Sequence, residues 1–318
     1  MKMRLDIPHE RIVEIQRELE FKNGNYAGAI YHYTSPSGLL GIMNGDGPAC
    51  LRFTSADYLN DKEEGKYILR VLEKAKRDYA NGEPNAEVMR ALDTITKVGD
   101  ETLYRPIERH EGASEVHLSR GKVYICSFSK DGDSLPMWNY YVKGNSYRGY
   151  NLGFDSGELL DEIQRDLDTR YNLARSVKIK LQEVIYDEEI QLNMIRKEIK
   201  LLDKYTSSEK EFKFACLMFM QSLARMKYIF KNPCFKHESE VRAFINWPDD
   251  NEEYLHFREG NGGVLVPYLE FMFGERLRSV TLSPLVNEEL AEYSVKTLLK
   301  NNGFSGIEIM KSTCPVRY

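Results

Sequence analysis

The sequence predicts an α+β fold on a mostly antiparallel sheet with helical insertions. Strand-like and helix-like stretches come in blocks, without regular βαβ alternation. The helical stretches place apolar residues three and four apart. Neither G-x-G-x-x-G nor G-x-x-x-x-G-K-[ST] occurs, so nothing points to a doubly wound nucleotide-binding sheet.

Residues 7–20 predict a short amphipathic helix, with Asp6 able to cap it, Pro8 in its first turn, and Ile12, Ile15 and Leu19 on one face. Ala29–Thr34 is dense in aromatic and β-compatible residues and predicts a buried strand. Ser35-Pro36-Ser37 ends it and opens a short helix with Leu39, Leu40 and Ile42. Residues 44–48 form a turn before a second strand, Cys50–Ser55. Over 57–80, Tyr67, Ile68, Val71, Leu72, Ala75 and Tyr79 share one helical face. Residues 81–120 are polar and mixed, with a helix expected near 86–98. Strands follow at 122–129, 149–154 and 177–186, with an aromatic segment at 137–141. A helical insertion is expected at 187–231, its helix from Phe212 to Phe230 buried nearly all round. Strands at 239–246, 254–257, 264–267 and 279–282 then precede the helix Glu288–Asn301 and a last strand at 307–310. One domain, 1–318, accounts for the pattern.

Composition narrows the class. The 318 residues are 42% hydrophobic and 29% charged, with mean hydropathy −0.50, which excludes wholesale disorder and a membrane protein. No apolar run approaches the ~20 residues that span a bilayer, and the basic start lacks an apolar h-region, so a cytoplasmic chain is expected. The cysteines, Cys50, Cys126, Cys216, Cys234 and Cys314, form no C-x-x-C pair, which argues against zinc and disulfides. A structural role is expected for all five, with Cys126 the one conceivable nucleophile. No metal site is expected. A net charge of −5 with dispersed Lys and Arg excludes a molecule coated in positive charge, although not a local basic patch.

Four segments carry chemistry. In Tyr31-His32-Tyr33-Thr34, alternation puts His32 and Thr34 on one strand face. His32 can donate to a ribose hydroxyl or carbonyl, or simply bond a neighbouring backbone carbonyl in the core. In Leu51-Arg52-Phe53-Thr54-Ser55, Arg52 and Thr54 share a face, and Arg52 can clamp a phosphate. Asn60-Asp61 with Glu63-Glu64 reads as the cap of the next helix. In Cys126-Ser127-Phe128-Ser129 followed by Met137-Trp138 and Tyr140-Tyr141, a hydroxyl such as Ser127 can hold ribose and the aromatics can stack on a base, or the rings are plain core. In Glu238-Ser239-Glu240-Val241-Arg242, alternation puts both carboxylates and the guanidinium on one face, either a site or a solvated edge strand.

Together with Leu59-Asn60-Asp61, Glu64 and the terminal Lys311-Ser312…Pro315-Val316-Arg317, these segments resemble a family of bacterial and phage proteins catalogued as a domain of unknown function. Through it the chain resembles the ADP-ribosyltransferase superfamily of the His–Tyr–Glu type. That resemblance implies a split sheet, NAD as substrate without a metal, and a single cleft. His32, Tyr141 (or Tyr140) and Glu240, with Glu238 second, take the catalytic positions. Tyr33, Arg52, Thr54, Ser127, Trp138, Tyr140, Glu238 and Arg242 contact NAD, the arginines at the pyrophosphate. It further implies transfer onto a protein, RNA or DNA acceptor, as a toxin or antiphage effector with a possible antitoxin or regulator. The rivals are an NAD glycohydrolase and a non-catalytic member that binds a nucleotide or a partner.

Overall fold

The computed structural model describes residues 2–4, 6–19, 21, 24–43, 47–59, 64–98, 107–108, 115–118, 121–142, 147–171 and 177–316. The expected cap at Asn60-Asp61, part of the turn at 44–48, much of 99–120 and Arg317 lie outside the described residues.

The helices are α1 (His9–Leu19), α2 (Pro36–Met43), α3 (Glu64–Ala80), α4 (Ala86–Val98), α5 (Leu135–Tyr140), α6 (Ser156–Arg170), α7 (Glu188–Leu202), α8 (Glu209–Met226) and α9 (Glu288–Asn301). A small sheet joins β1 (Lys2–Arg4), β4 (Ile107–Glu108) and β5 (Glu115–Leu118). The main sheet has ten strands: β2 (Ala29–Thr34), β3 (Cys50–Ser55), β6 (Gly121–Ser129), β7 (Tyr150–Asp155), β8 (Lys180–Glu183), β9 (Glu240–Pro248), β10 (His256–Glu259), β11 (Leu265–Met272), β12 (Leu277–Leu282) and β13 (Glu308–Lys311). Its path runs β10-β11-β3-β6-β2-β7-β12-β13, with β9 also on β6 and β8 on β9. These pairs are antiparallel except β12 with β13, so the fold is α+β.

Helices cover both faces. α2, α6 and α9 bury Leu39, Ile163 and Val295 against one face. On the other, α1, α3, α4, α7 and α8 share a second core that Ile125 and Phe244 enter from the sheet. Residues 187–231 therefore supply two helices of a five-helix layer. Among the described residues no helix is long and apolar enough to cross a membrane.

Three local expectations change. α6 is absent from the sequence reading because its apolar residues, Leu159, Ile163 and Leu167, lie four apart among acidic and polar neighbours. Its start is marked by Asp155, whose side chain accepts from the Glu158 amide at 3.1 Å. α8 buries one face, Phe214, Met218, Phe219, Leu223 and Met226 among it, while Phe212, Leu217 and Met220 are only partly covered. The strand expected over 177–186 is shortened to Lys180–Glu183.

One carboxyl is out of place in the helical layer. Glu198 on α7 is buried and bonded to the Ser222 hydroxyl, while its Oε2 makes no hydrogen bond among the described residues. Burial pushes its carboxyl up from 4.5 to about 8, against the opposing Ser222 bond. The folded state then holds the proton more tightly than the unfolded chain between pH 4.5 and about 8, and stability falls as pH rises through that window. Glu198→Gln removes this slope. Urea unfolding at pH 5 and pH 8 should show the variant gaining on wild type at the higher pH, and an equal gap at both would refute the assignment.

Candidate functional site

The site begins as a fork in the sheet. β6 pairs with β9 along its whole length, from Gly121 opposite Pro248 to Ser129 opposite Glu240. On its other edge, Tyr124 and Ile125 meet β3, whereas Ser129 meets Tyr31 of β2. Cys126–Phe128 lie between the two, where β2 and β3 part. A backbone carbonyl left there would be costly without a partner, and His32 supplies one: its Nδ1 lies 3.0 Å from the Ser127 carbonyl oxygen. Because a carbonyl only accepts, Nδ1 carries the proton and Nε2 of the neutral ring is an acceptor. Burial lowers the His32 pKa, with the Ser127 bond opposing, so the ring is neutral at pH 7.

The fork opens into a cleft of about 240 Å³. Register puts Tyr31, Thr54, Ile125, Ser127, Ser129 and Glu240 on one face of the sheet. His32 starts from the opposite face, its ring edge-on to Phe128 at 5.7 Å, and reaches the cleft through the gap.

The wall on the β9 side is a buried charge cluster. Lys231 bridges Glu238 Oε2 at 2.5 Å and Glu240 Oε2 at 3.0 Å. Arg242 donates from Nε to Glu240 Oε1 at 2.7 Å, from Nη2 to Glu240 Oε2 at 2.9 Å, and from Nη1 to the Tyr228 carbonyl at 2.9 Å. All four charged residues are buried. This is no solvated edge strand, because β9 is flanked by β6 and β8. Burial works to raise the Glu240 carboxyl, but Arg242 and Lys231, with hydrogen bonds from Arg242 and Ser127, outweigh it and hold it at about 2. Glu238 goes the other way: burial and the Glu240 charge raise it against Lys231.

Backbone geometry sets this arrangement. Glu238 belongs to a 3-10 turn, Pro233–Glu238, and not to the strand as alternation predicts. Ser239 between the carboxylates is left-handed, φ 45° and ψ 46°, a conformation uncommon for a residue with a Cβ. It is fixed by the Ser129 hydroxyl on the Glu238 carbonyl at 2.7 Å and by the Lys130 amide on the Ser239 carbonyl at 2.8 Å. Lys231 is held through its own backbone, its amide donating to Ile185 and its carbonyl accepting from Gln191.

Of the residues singled out in sequence, His32, Tyr33, Arg52, Thr54, Ser127, Tyr141, Glu238 and Glu240 line the cleft. Three do not. Trp138 has no exposed surface; it packs on Tyr33 at 4.6 Å and donates Nε1 to Asp133 at 2.8 Å, so its ring is core. Tyr140 points outward, 63% exposed, beside His237. Arg242 sits behind Glu240, spent on that carboxylate and a backbone carbonyl. Arg52 lines the cleft already engaged, by Glu270 at 3.2 Å and over the Tyr268 ring at 4.9 Å. Cys126 also borders the cleft, but it is 2% exposed and burial raises its thiol far above neutral, so it offers no thiolate.

Lys231, Tyr31, Tyr58 and Arg258 also belong to the site, although the sequence pattern does not single them out. Lys231 had little signal, because the run Tyr228-Ile229-Phe230 is flanked by a lysine at each end, Lys227 and Lys231. Arg258, on the exposed strand β10, had none.

Residues 137–243 match a family described as "Protein of unknown function (DUF2971)". That stretch runs from α5 into β9, taking in Tyr141, Glu238 and Glu240 but not His32, Arg52 or Thr54. Its description assigns no activity. No curated protein and no solved structure matches the chain.

The cluster yields a stability test. Lys231→Met strips both carboxylates of their shared cation and should cost about 3–5 kcal/mol, since a buried charge is left uncompensated. A loss in urea unfolding below ~1 kcal/mol, as for exposed pairs, would overturn the buried-pair account. For wild type, Glu240 contributes stability above its unfolded value of 4.5 that disappears as pH falls towards 2.

Proposed function

We propose that the cleft binds NAD and that the chain transfers ADP-ribose to a macromolecular acceptor. The observation that supports this most is the polarity of the cleft. Glu238 and Glu240 stand on the β9 side of β6, while the guanidinium-bearing Arg52 and Arg258 come from β3 and β10 on the other. NAD has the matching polarity: a cationic nicotinamide on ribose at one end and an anionic pyrophosphate beyond it. The volume lies a little below the usual ~300–1,000 Å³ of small-molecule sites, which suits the nicotinamide riboside half inside and the remainder along the open arginine side. Arg258, which is exposed, meets the pyrophosphate more readily than Arg52, which must first share its charge with Glu270.

The chemistry follows from those positions. The bond between the nicotinamide nitrogen and the anomeric carbon breaks, and its electron pair leaves with nicotinamide. The ribose left behind is oxocarbenium-like, as in glycoside hydrolysis. A carboxylate at the β9 wall stabilises that charge as it develops. An acceptor lone pair then forms the new bond to the anomeric carbon, and the acceptor proton passes to a base at the same wall. His32 Nε2 can accept from a ribose hydroxyl, and Tyr141 or Tyr31 can lie against the nicotinamide. A cytoplasmic toxin or antiphage effector, held in check by an antitoxin or regulator, is the role that goes with this activity.

The test is incubation of the purified protein with NAD, scoring free nicotinamide with and without cell lysate. Release that requires lysate is the expected result. Release without lysate makes the protein an NAD glycohydrolase, and neither release nor NAD binding would remove both enzyme readings. His32→Ala should weaken NAD binding several-fold, about 1 kcal/mol for one hydrogen bond; an unchanged Kd leaves His32 only its structural bond to Ser127.

A further inference from the structure

Glu238 and Glu240 border the same cleft but are not equivalent there. Every oxygen of Glu240 is committed: Oε1 to Arg242 Nε, and Oε2 to both Arg242 Nη2 and Lys231. The Ser127 hydroxyl adds a further bond to the same carboxylate. Glu238 gives only Oε2 to Lys231. Its Oε1 makes no hydrogen bond among the described residues and is not one of the occluded polar atoms, while the residue lines the cleft. A ligand group donating a hydrogen bond would have to displace Arg242 or Lys231 to reach Glu240. At Glu238 it meets an open oxygen.

We infer that Glu238 is the carboxylate that touches the ligand, through Oε1, and that Glu240 is a positioning residue that holds Arg242 and Lys231 in place beneath it. This reverses the order in which the two are ranked from sequence, and it rests on the NAD reading only for the identity of the ligand. Their protonation fits the division. Glu240 stays ionised at every working pH, as a strut between two cations requires. Glu238 is raised by burial and by its neighbour's charge, which suits a group that exchanges a proton with the acceptor. The left-handed Ser239 is what lets adjacent carboxylates take these different roles, by turning Glu238 off the strand and back towards Lys231.

Glu238→Gln and Glu240→Gln separate the roles when thermal unfolding and nicotinamide release are both measured on the full chain. Glu238→Gln should fold with a Tm near that of wild type and lose at least ~100-fold in nicotinamide release. Glu240→Gln should lose the larger part of the stability, failure to fold being the extreme of that ranking. Where it folds, the acidic limb of its pH profile should move to lower pH, because the charge that raises Glu238 is gone; a merely structural residue would leave the limb in place. Wild-type release by Glu238→Gln, or a Glu240→Gln variant as stable as Glu238→Gln, overturns the inference. If wild type releases no nicotinamide, the NAD reading fails, and the stability ranking alone still decides between Glu240 as strut and Glu238 as strut.

Discussion

Four buried charges in one place, Lys231, Glu238, Glu240 and Arg242, constrain more of this molecule than any single apolar contact. Taking an ion out of water costs several kcal/mol even after relaxation, so the two buried cations are tolerable only beside carboxylate, Glu240 above all. The consequences spread through the backbone. The segment after α8 must deliver Lys231 to the sheet, and it does so by a short parallel contact of Phe230 with Ile185. β9 must run alongside β6 in the register that sets Glu240 opposite Ser129. The turn before β9 must bend through an unfavourable dihedral pair so that Glu238 joins the cluster. A swap of these residues for apolar ones of similar volume need not destabilise the fold, so stability alone gives no reason to bury two carboxylates beside an open cleft.

The same region explains the shape of the cleft. A sheet in which a single strand paired with that edge of β6 along its full length would have no gap there. Here β3 takes only the middle of β6 and β2 only its last residue, and the carbonyl between them is satisfied by the His32 ring. His32 therefore has a structural bond and a place in the lining of the cleft at once. The bond to Ser127 uses Nδ1 alone.

Legibility in the sequence followed the strength of local signals. β2 and β3 stand where aromatic and β-branched runs bounded by Gly, Pro and Ser put them, and α3 and α9 where apolar spacing did. α6 escaped because a sparse four-residue spacing among acidic residues resembles a polar loop. At the site, the types of residue were readable and their depth was not. Alternation alone cannot distinguish an edge strand from one flanked on both sides, so Glu240–Arg242 looked like a solvated row while β8 and β6 enclose it. Nor can aromatic content separate Trp138, locked under Asp133 and Tyr33, from Tyr141 at the cleft. Lys231 was hidden because its partners lie seven and nine residues away, across a 3-10 turn that no periodicity predicts.

Scaffold and site meet at the polar edge of the fork. Asp133 takes the Trp138 indole, the Ser312 hydroxyl and the Thr313 amide and hydroxyl, and so ties the last described residues to the loop that leads into α5. Tyr33 spans the same loop, donating to the Asp131 carbonyl and accepting from the Ser134 amide. These bonds fix the loop and the start of α5, the segment that brings Met137 and Tyr141 to the cleft. On the far side β10, exposed along its length, carries Arg258 and is held by its ladder with β11 and by the His256 ring stacked on Tyr268. The two walls of the cleft are thus placed by different devices, loop bonds to Asp133 and Tyr33 on one side and a strand ladder on the other.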